Sequence, residues 1–284
     1  RPPSEVVVVD DGSTDGTADV VAGFGPPVRL LRQANAGVAA ARNAGVAAST
    51  GEVVAFLDAD DRWLPTKLER QVAVLEARPE VGVVYGAVRI TDAGGAELGV
   101  LLDGRSGLIG DQMLLRRASV LAASSNALVR RAWFDEAGGF DERMSTSADW
   151  DFFRRVTRRH EAAFVPELLL EYRQHGSNMH RNIDAQRHDV LLALDKAFTG
   201  PDAVDPALRR PARAVAHRLL AGSYLEVGDR RSAVRHLARA VVADPATAGH
   251  AALLPVRQLR RWRSARRASD HEQRVGEGAG ERGQ

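Results

Sequence analysis

Short apolar runs alternate with longer mixed segments in the first part of the chain. Residues 6–9, 28–31 and 53–57 are apolar on both faces, as expected for buried strands of a parallel sheet. Residues 17–24 and the alanine-rich segment 36–49 lie between them and favour helices. This alternation predicts an α/β fold with a mostly parallel, Rossmann-like sheet that has helices on both faces.

The pattern becomes mixed after residue 60. Four segments have the apolar spacing of helices, namely residues 65–77, 108–117, 131–137 and 148–160. Shorter apolar or β-branched segments predict further strands at residues 81–90, 98–102, 126–129, 163–165 and 168–172. A glycine-containing turn at residues 92–95 joins the first two of these strands as an antiparallel hairpin.

The last hundred residues predict helices without strands. Residues 216–227 and 231–243 form a helical hairpin whose pattern of small residues resembles one tetratricopeptide repeat. Beyond residue 262 the chain is rich in Arg, Gly and Glu and has no apolar periodicity. We therefore predict an α/β domain over residues 1–182, a helical appendage over 183–262 and a disordered tail over 263–284.

Composition narrows the possible chemistry. The 284 residues include no cysteine, which excludes disulfides, thiolate nucleophiles and sulfur-ligated zinc. Carboxylates and histidines remain as metal ligands, and they suit a hard divalent cation. The net charge of +2 gives no indication of nucleic-acid binding. No apolar run reaches about 18 residues and no signal peptide is present, so we expect a cytoplasmic protein.

Aspartates follow two of the predicted buried strands. Asp10 and Asp11 follow the first strand, and Asp58, Asp60 and Asp61 follow the third. Ligands of such sheets bind at the carboxyl ends of the strands. Carboxylates crowded this closely repel each other unless a cation lies among them. Hence the sequence predicts a Mg²⁺ or Mn²⁺ site here, with a hydrated acidic loop as the alternative.

Three further stretches carry candidate chemistry. Arg42, in NAGVAAARNAG, offers a planar fork suited to phosphate or a base edge, although a solvated helix face is the ordinary alternative. His175 lies in YRQHGSN, where a structural role is equally open. Asp149 and Asp151 flank Trp150 at a helix start, where partial desolvation could raise the proton affinity of a carboxylate. Either aspartate could instead be an ordinary helix cap.

In combination, these motifs resemble the family 2 glycosyltransferases of the GT-A fold. The family pattern comprises VVDDGSTDGT, an N-x-G-x-x-x-A-R-N helix, a D-x-D at a strand exit, an acidic-aromatic motif and a late aromatic-Arg-x-His. All five occur here in that order between residues 6 and 178.

The resemblance assigns a role to each matching residue. It places Asp11 and Asn35 at the nucleotide-sugar and Arg42 at its base or phosphate. It places Asp58 at the ribose. The predicted metal ligands are Asp60 and His175, and the predicted catalytic base is Asp149.

The implied activity is inverting sugar transfer with a divalent metal. The donor would be a UDP-, GDP- or dTDP-sugar, and the acceptor a sugar, a lipid-linked molecule or a protein. Synthesis of a cell-surface polysaccharide, glycolipid or glycoconjugate would be the setting. Arginines between residues 257 and 267, together with Leu259 and Trp262, leave open peripheral contact with the inner face of the membrane.

Two departures from the family pattern stand out. Ala148 occupies the position where the family usually has Glu before the base. The sequence also begins at the equivalent of the second family strand, so we expect an incomplete record of a longer protein. Two other classes stay open. A nucleotidyltransferase would need a glycine-rich phosphate loop, which is not seen, and a non-catalytic binding or scaffold protein would not need the acidic residues.

Overall fold

The computed structural model describes residues 2–115, 121, 123–175, 182–199 and 203–249. The chain forms two compact units, Arg1–Ala212 and Arg213–Gln284. The strands are β1 (Val6–Asp11), β2 (Val28–Gln33), β3 (Val53–Ala55), β4 (Arg62–Trp63), β5 (Val81–Thr91), β6 (Glu97–Leu101), β7 (Leu128–Arg130) and β8 (Glu161–Arg173). The helices are α1 (Thr17–Ala22), α2 (Val38–Ala48), α3 (Lys67–Ala77), α4 (Gly110–Leu114), α5 (Arg131–Glu136), α6 (Ala148–Arg159), α7 (Ile183–Thr199), α8 (Arg209–Glu226) and α9 (Arg230–Ala243).

The strands form two sheets. Strand β1 pairs in parallel with β2, and the larger sheet has the order β3-β7-β5-β8-β4, with β6 also paired to β5. Strands β5 and β8 are parallel, whereas the other pairings recorded in this sheet are antiparallel. The α/β fold is confirmed, but the larger sheet is mixed, because short strands join its long parallel pair in the opposite direction.

Strand β8 is longer than the sequence pattern indicated. The two segments predicted at 163–165 and 168–172 are one strand, Glu161–Arg173. Val165 pairs with Gly86 and Leu168 with Ala87, so Pro166 and Glu167 form a bulge between them. Because proline cannot donate a ladder hydrogen bond, a bulge is where a paired strand can accommodate it.

The segment predicted as a strand over 126–129 begins instead with a turn. Residues Ser124–Asn126 form one turn of 3-10 helix, and β7 follows at Leu128–Arg130. The side chain of Asn126 pairs with both the N–H and the C=O of Gly86, at 3.1 and 2.8 Å. The turn is therefore fixed to the central strand β5, directly behind the acidic segment after β3.

A cluster of phenylalanines lies beneath that acidic segment. The Phe140 ring lies 5.1 Å from Phe56 and 4.6 Å from Phe152, measured between centroids. Phe134 contacts the same rings, and all four side chains are buried. Their packing joins the end of β3 to α5, to the glycine turn after α5 and to α6.

Helix α7 belongs to the first compact unit, although the sequence boundary was placed at residue 182. Its Asp189 is buried, and one carboxylate oxygen accepts the backbone N–H groups of Ser145, Thr146 and Ser147 at 2.6 to 3.1 Å. These three amides precede the first residue of α6. Thus α7 fixes the segment that leads directly to Asp149.

The second unit contains α9 and most of α8. Gly228 turns the chain at φ 83°, and Asp229 caps α9 by accepting the N–H of Ser232. His217 and His236 lie in contact between the two helices, with their Nδ1 atoms 3.1 Å apart. None of the helices in the described segments is long and apolar enough to cross a membrane. The predicted tail over 263–284 lies outside these segments.

Replacing Asp189 should destabilise the first unit. Asp189→Ala leaves three partly buried N–H groups without their acceptor, so we expect the free energy of unfolding to fall by about 2 kcal/mol. Asp184→Ala on the same helix is the control, since its side chain is 89% exposed and should change stability by about 0.5 kcal/mol or less. Urea unfolding of both variants measures the difference. Equal losses would contradict the anchoring role of Asp189.

Candidate active site

The end of β1 is tied to the loop after β2. Asp11 accepts the side-chain amide of Gln33 at 2.8 Å and the backbone N–H groups of Ala36 and Gly37 at 2.9 and 2.8 Å. Burial opposes ionisation, but these hydrogen bonds hold the pKa of Asp11 below its usual range. Both carboxylate oxygens therefore take part in building the loop at this end of the sheet.

The same loop brings Asn35 close to the β1 turn. Gly12 has φ 87°, and a Cβ atom there would lie 2.9 Å from the backbone nitrogen of Asn35. Only glycine combines this backbone conformation with so close an approach. The predicted nucleotide-binding pair, Asp11 and Asn35, thus lies on one edge of the sheet, with Asn35 exposed to solvent.

Helix α2 contacts the acidic segment after β3 through one ion pair. Arg42 donates through Nη2 to both carboxylate oxygens of Asp58, at 2.6 and 2.9 Å. The guanidinium also lies over the ring of Phe140, 5.4 Å from its centroid. Its Nε is buried and has no hydrogen-bond partner among the described residues. Arg42 and Asp58, which the resemblance assigned to separate parts of a nucleotide, therefore form an ion pair with each other.

Asn43, next to Arg42, holds the glycine turn after α5. Its side-chain amide donates to the carbonyl of Phe140 and accepts the N–H of the same residue, both at 2.9 Å. A Cβ atom at Gly139 would lie 2.7 Å from Asn43 Oδ1, so glycine is required there. Helix α2 thereby fixes both the acidic segment and the aromatic turn below it.

The two predicted metal ligands are adjacent. His175 Nε2 lies 2.8 Å from Asp60 Oδ2, and both side chains are partly exposed. In the described part of the chain, no three His, Cys, Asp or Glu side chains are grouped closely enough to hold a metal ion by themselves. The remainder of YRQHGSN, from Gly176 onward, lies outside the described residues.

Asp61 belongs to the acidic segment after β3, but the family resemblance assigned it no role. It is largely buried, and burial together with the negative charges of Asp58 and Asp60 raises the pKa of its carboxyl to about 6. Its Oδ1 accepts the N–H of Arg173 at 3.1 Å, whereas Oδ2 is buried without a hydrogen-bond partner in the described segments. The spacing of the aspartates after β3 did not show that the side chain of Asp61 points inward.

Asp149 lies at the start of α6, close to Arg42 and Asp58. Burial raises the pKa of Asp149 to about 6; the charge of Arg42 opposes this rise and that of Asp58 adds to it. One carboxylate oxygen accepts the N–H of Trp150 at 2.7 Å. A carboxyl group with this pKa is largely ionised at neutral pH and holds a proton more readily than an exposed aspartate.

Asp151, the alternative base, is engaged elsewhere. It is fully buried, and its Oδ2 accepts from Arg155 Nε at 2.9 Å and from Lys196 Nζ at 2.7 Å. Lys196 also binds Asp141 at 2.6 Å. Because two cations hold the Asp151 carboxylate inside the fold, we assign it a structural role and leave Asp149 as the candidate base.

Tyr172 and Ser125 complete the acidic site. Burial and the charges of Asp61 and Asp60 raise the pKa of Tyr172 to about 12, so its phenol stays neutral. Ser125 Oγ accepts the backbone N–H of Asp58 at 3.0 Å. Tyr172 is the aromatic residue of the aromatic-Arg-x-His motif, so the sequence drew attention to it. Nothing in the sequence around Ser125 indicated a role for that residue.

Comparison with known proteins shows which family the chain is similar to. Residues 1–138, just under half of the 284 residues, match the model of the family described as glycosyl transferase family 2. An uncharacterised glycosyltransferase of Nostoc sp. is 51% identical over 85 residues, which are 28% of this chain and 26% of the relative. An uncharacterised glycosyltransferase of Rickettsia felis is 28% identical over 184 residues, which are 63% and 31% of the two chains.

Solved structures show the same GT-A fold. A crystal structure of S. aureus TarS in complex with UDP-GlcNAc aligns over 84% of this chain and 72% of its own, with a TM-score of 0.57 and 15% identity. The mannosyltransferase PcManGT of Pyrobaculum calidifontis, in complex with GDP-Man and Mn²⁺, aligns over 91% and 73%, with a TM-score of 0.56 and 23% identity. The chain spans about a quarter to a third of the length of the Nostoc and Rickettsia relatives.

The raised pKa of Asp149 predicts a pH-dependent stability. The folded pKa of about 6 exceeds the ordinary value, so the wild-type protein loses stability as pH rises between about 4 and 6. Asp149→Asn removes this loss. We expect the variant to become more stable than wild type at pH 7, by on the order of 2 kcal/mol, and to lose that advantage near pH 4. Urea unfolding at both pH values measures it.

Asp15 provides a control of opposite sign. Hydrogen bonds from the Thr17 hydroxyl and backbone N–H lower the pKa of Asp15, so its ionised form stabilises the turn. Asp15→Asn should therefore destabilise the protein more at pH 7 than at low pH. A pH-independent effect of Asp149→Asn would show that its carboxyl group is not buried as described.

Proposed function

We propose that the protein is an inverting glycosyltransferase that moves a sugar from a nucleoside diphosphate to an acceptor hydroxyl. One observation carries the proposal. The carboxyl group of Asp149, with its raised pKa, shares one site with the Arg42–Asp58 pair and interacts with the same tyrosine as Asp60. The site thus combines a proton acceptor with side chains that can bind a charged nucleotide-sugar. An acidic loop with only a structural role would not need this combination.

The residues present fit a divalent cation. Asp61 Oδ2 is a buried oxygen without a hydrogen-bond partner in the described segments, and burial, with a further contribution from the charges of Asp58 and Asp60, raises the pKa of Asp61. Oxygen and imidazole ligands suit Mg²⁺ or Mn²⁺. Asp60 and His175 would hold the ion, together with oxygens of the diphosphate. When bound, such an ion offsets the charge of the departing diphosphate. PcManGT, of the same fold, was crystallised with Mn²⁺.

The chain's own residues account for binding and proton transfer. Asp11 and Asn35 would contact the nucleoside, Arg42 the base or a phosphate, and Asp58 the ribose. Asp149 would accept the proton of the acceptor hydroxyl, whose oxygen attacks the anomeric carbon as the bond to the diphosphate oxygen breaks. Attack from the opposite face inverts the configuration, so the mechanism needs no covalent sugar intermediate.

The structural neighbours support nucleotide sugars as the donor class. TarS was crystallised with UDP-GlcNAc and PcManGT with GDP-Man, so UDP- and GDP-sugars are the first donors to test. We propose a sugar, lipid-linked or protein acceptor in the synthesis of a cell-surface polysaccharide or glycoconjugate. Membrane contact through residues 257–267 remains a prediction, because that segment lies outside the described residues.

Nucleotide binding should depend on metal and on Asp60. Titration calorimetry of UDP and of GDP into the protein should show binding with Mn²⁺ that weakens at least about tenfold without it. Asp60→Ala should weaken metal-dependent binding to the same degree, because a charge-assisted metal contact is lost. Asp184→Ala is the control at an exposed carboxylate. Metal-independent binding, or no binding at all, would favour the scaffold alternative.

Sugar transfer should require the ionised form of Asp149. The rate of donor turnover should rise with pH through about 6 and then level off, because the base must be deprotonated to accept a proton. Asp149→Asn should lower kcat by about 10²- to 10⁴-fold while nucleotide binding is retained. Coupled detection of released UDP or GDP measures the rate. A variant with near wild-type kcat would exclude Asp149 as the base.

A further inference from the structure

A fully buried lysine lies behind the acidic site. Lys67, in the first turn of α3, is 0% exposed. Its ammonium group donates to Gln71 Oε1 at 2.6 Å, and within the described residues it forms no ion pair with Asp or Glu. Burial lowers the pKa of Lys67 to about 7. An unpaired buried charge destabilises a fold, so hydrophobic packing alone does not explain this residue.

One chain of contacts leads from Lys67 to the acidic segment. The ammonium group lies 4.6 Å from the centre of the Trp63 indole ring, in cation–π contact. The indole N–H donates to the carbonyl of Ser125 at 2.8 Å, and Ser125 Oγ accepts the N–H of Asp58 at 3.0 Å. Each contact orients the next group, and the last one fixes the backbone of the D-x-D motif.

A second chain reaches the other end of the same turn. Gln71 accepts from Lys67 through its Oε1 atom. This orients the Gln71 amide nitrogen, which donates to the carbonyls of Asn126 at 2.8 Å and Val84 at 3.2 Å. The side chain of Asn126 is in turn paired with Gly86 of the central strand. Lys67 thus orients both groups that hold the Ser124–Asn126 turn, namely the indole and the glutamine amide.

We propose that Lys67 is a positioning residue that sets the backbone of the donor-binding segment 58–61 through Trp63 and the Ser124–Asn126 turn. The effect of Lys67 on donor binding rests on the proposed function. Lys67 acts on segment 58–61 only through these intermediate groups. It acts by orienting two neutral groups that have no other charged contact among the described residues, which an apolar side chain of the same length could not do.

Hydrogen exchange tests the positioning directly. In Lys67→Met, which keeps the chain length but removes the ammonium group, the amide of Asp58 should exchange about tenfold faster. Trp63→Phe keeps a ring beneath the ammonium and removes the N–H, so it should have the same effect. The double variant should exchange no faster than the worse single variant, because removing the ammonium group already abolishes the contribution that runs through Trp63. Amides of β5 between Val88 and Ile90, which pair with β6 and β8 away from the Ser124–Asn126 turn, serve as the internal control for global opening.

Nucleotide binding gives an independent readout. With Mn²⁺, the dissociation constants of UDP and GDP should rise about tenfold in both single variants, while β5 exchange stays at the wild-type rate. Unchanged Asp58 exchange in Lys67→Met would overturn the proposal, and so would losses that add in the double variant. If the wild type bound neither nucleotide, the proposed function would fail, yet the exchange rates would still decide the role of Lys67.

Discussion

The ion pair between Arg42 and Asp58 is the contact on which the rest of the site depends. It joins α2 to the segment after β3, and the same guanidinium lies over Phe140 and opposes the pKa rise of Asp149. With Arg42 in place, the carboxyl groups of Asp58 and Asp149 can share a partly buried space. Without it, these two carboxylates would repel each other with less screening than in bulk water.

Burial then separates two neighbouring aspartates into different roles. Asp151 points into the fold, where Lys196 and Arg155 bind its carboxylate, and Asp149 lies at the acidic site, where desolvation raises the pKa of its carboxyl group. Asp189 supports this arrangement by binding the three amides that precede α6. The absence of the usual Glu at position 148 fits the same picture, since the buried Ala148 packs in the aromatic core.

The sequence indicated the α/β fold and which strands end in aspartates, because βα alternation and acidic strand exits are local patterns. The glycine turn at residues 92–95 also indicated the antiparallel β5–β6 hairpin, which is confirmed. The sequence could not indicate the antiparallel pairing of β7 with β3 and β5, because these partners are distant in sequence. Nor could it show that Arg42 binds Asp58 rather than solvent. Lys67 and Ser125 were missed because their roles arise from burial and tertiary contacts, which no short motif records.

The proposed function requires a metal–nucleotide complex to bind beside Asp60, on the same face as Asp149. A crystal structure of the protein grown with Mn²⁺ and UDP, and in parallel with GDP, would locate the metal by the anomalous signal of manganese. We expect one manganese peak against the Asp60 carboxylate, with the diphosphate next to it and Asp149 facing the open side. Manganese and nucleotide bound elsewhere, or an Asp60 without metal at saturating concentrations, would contradict it.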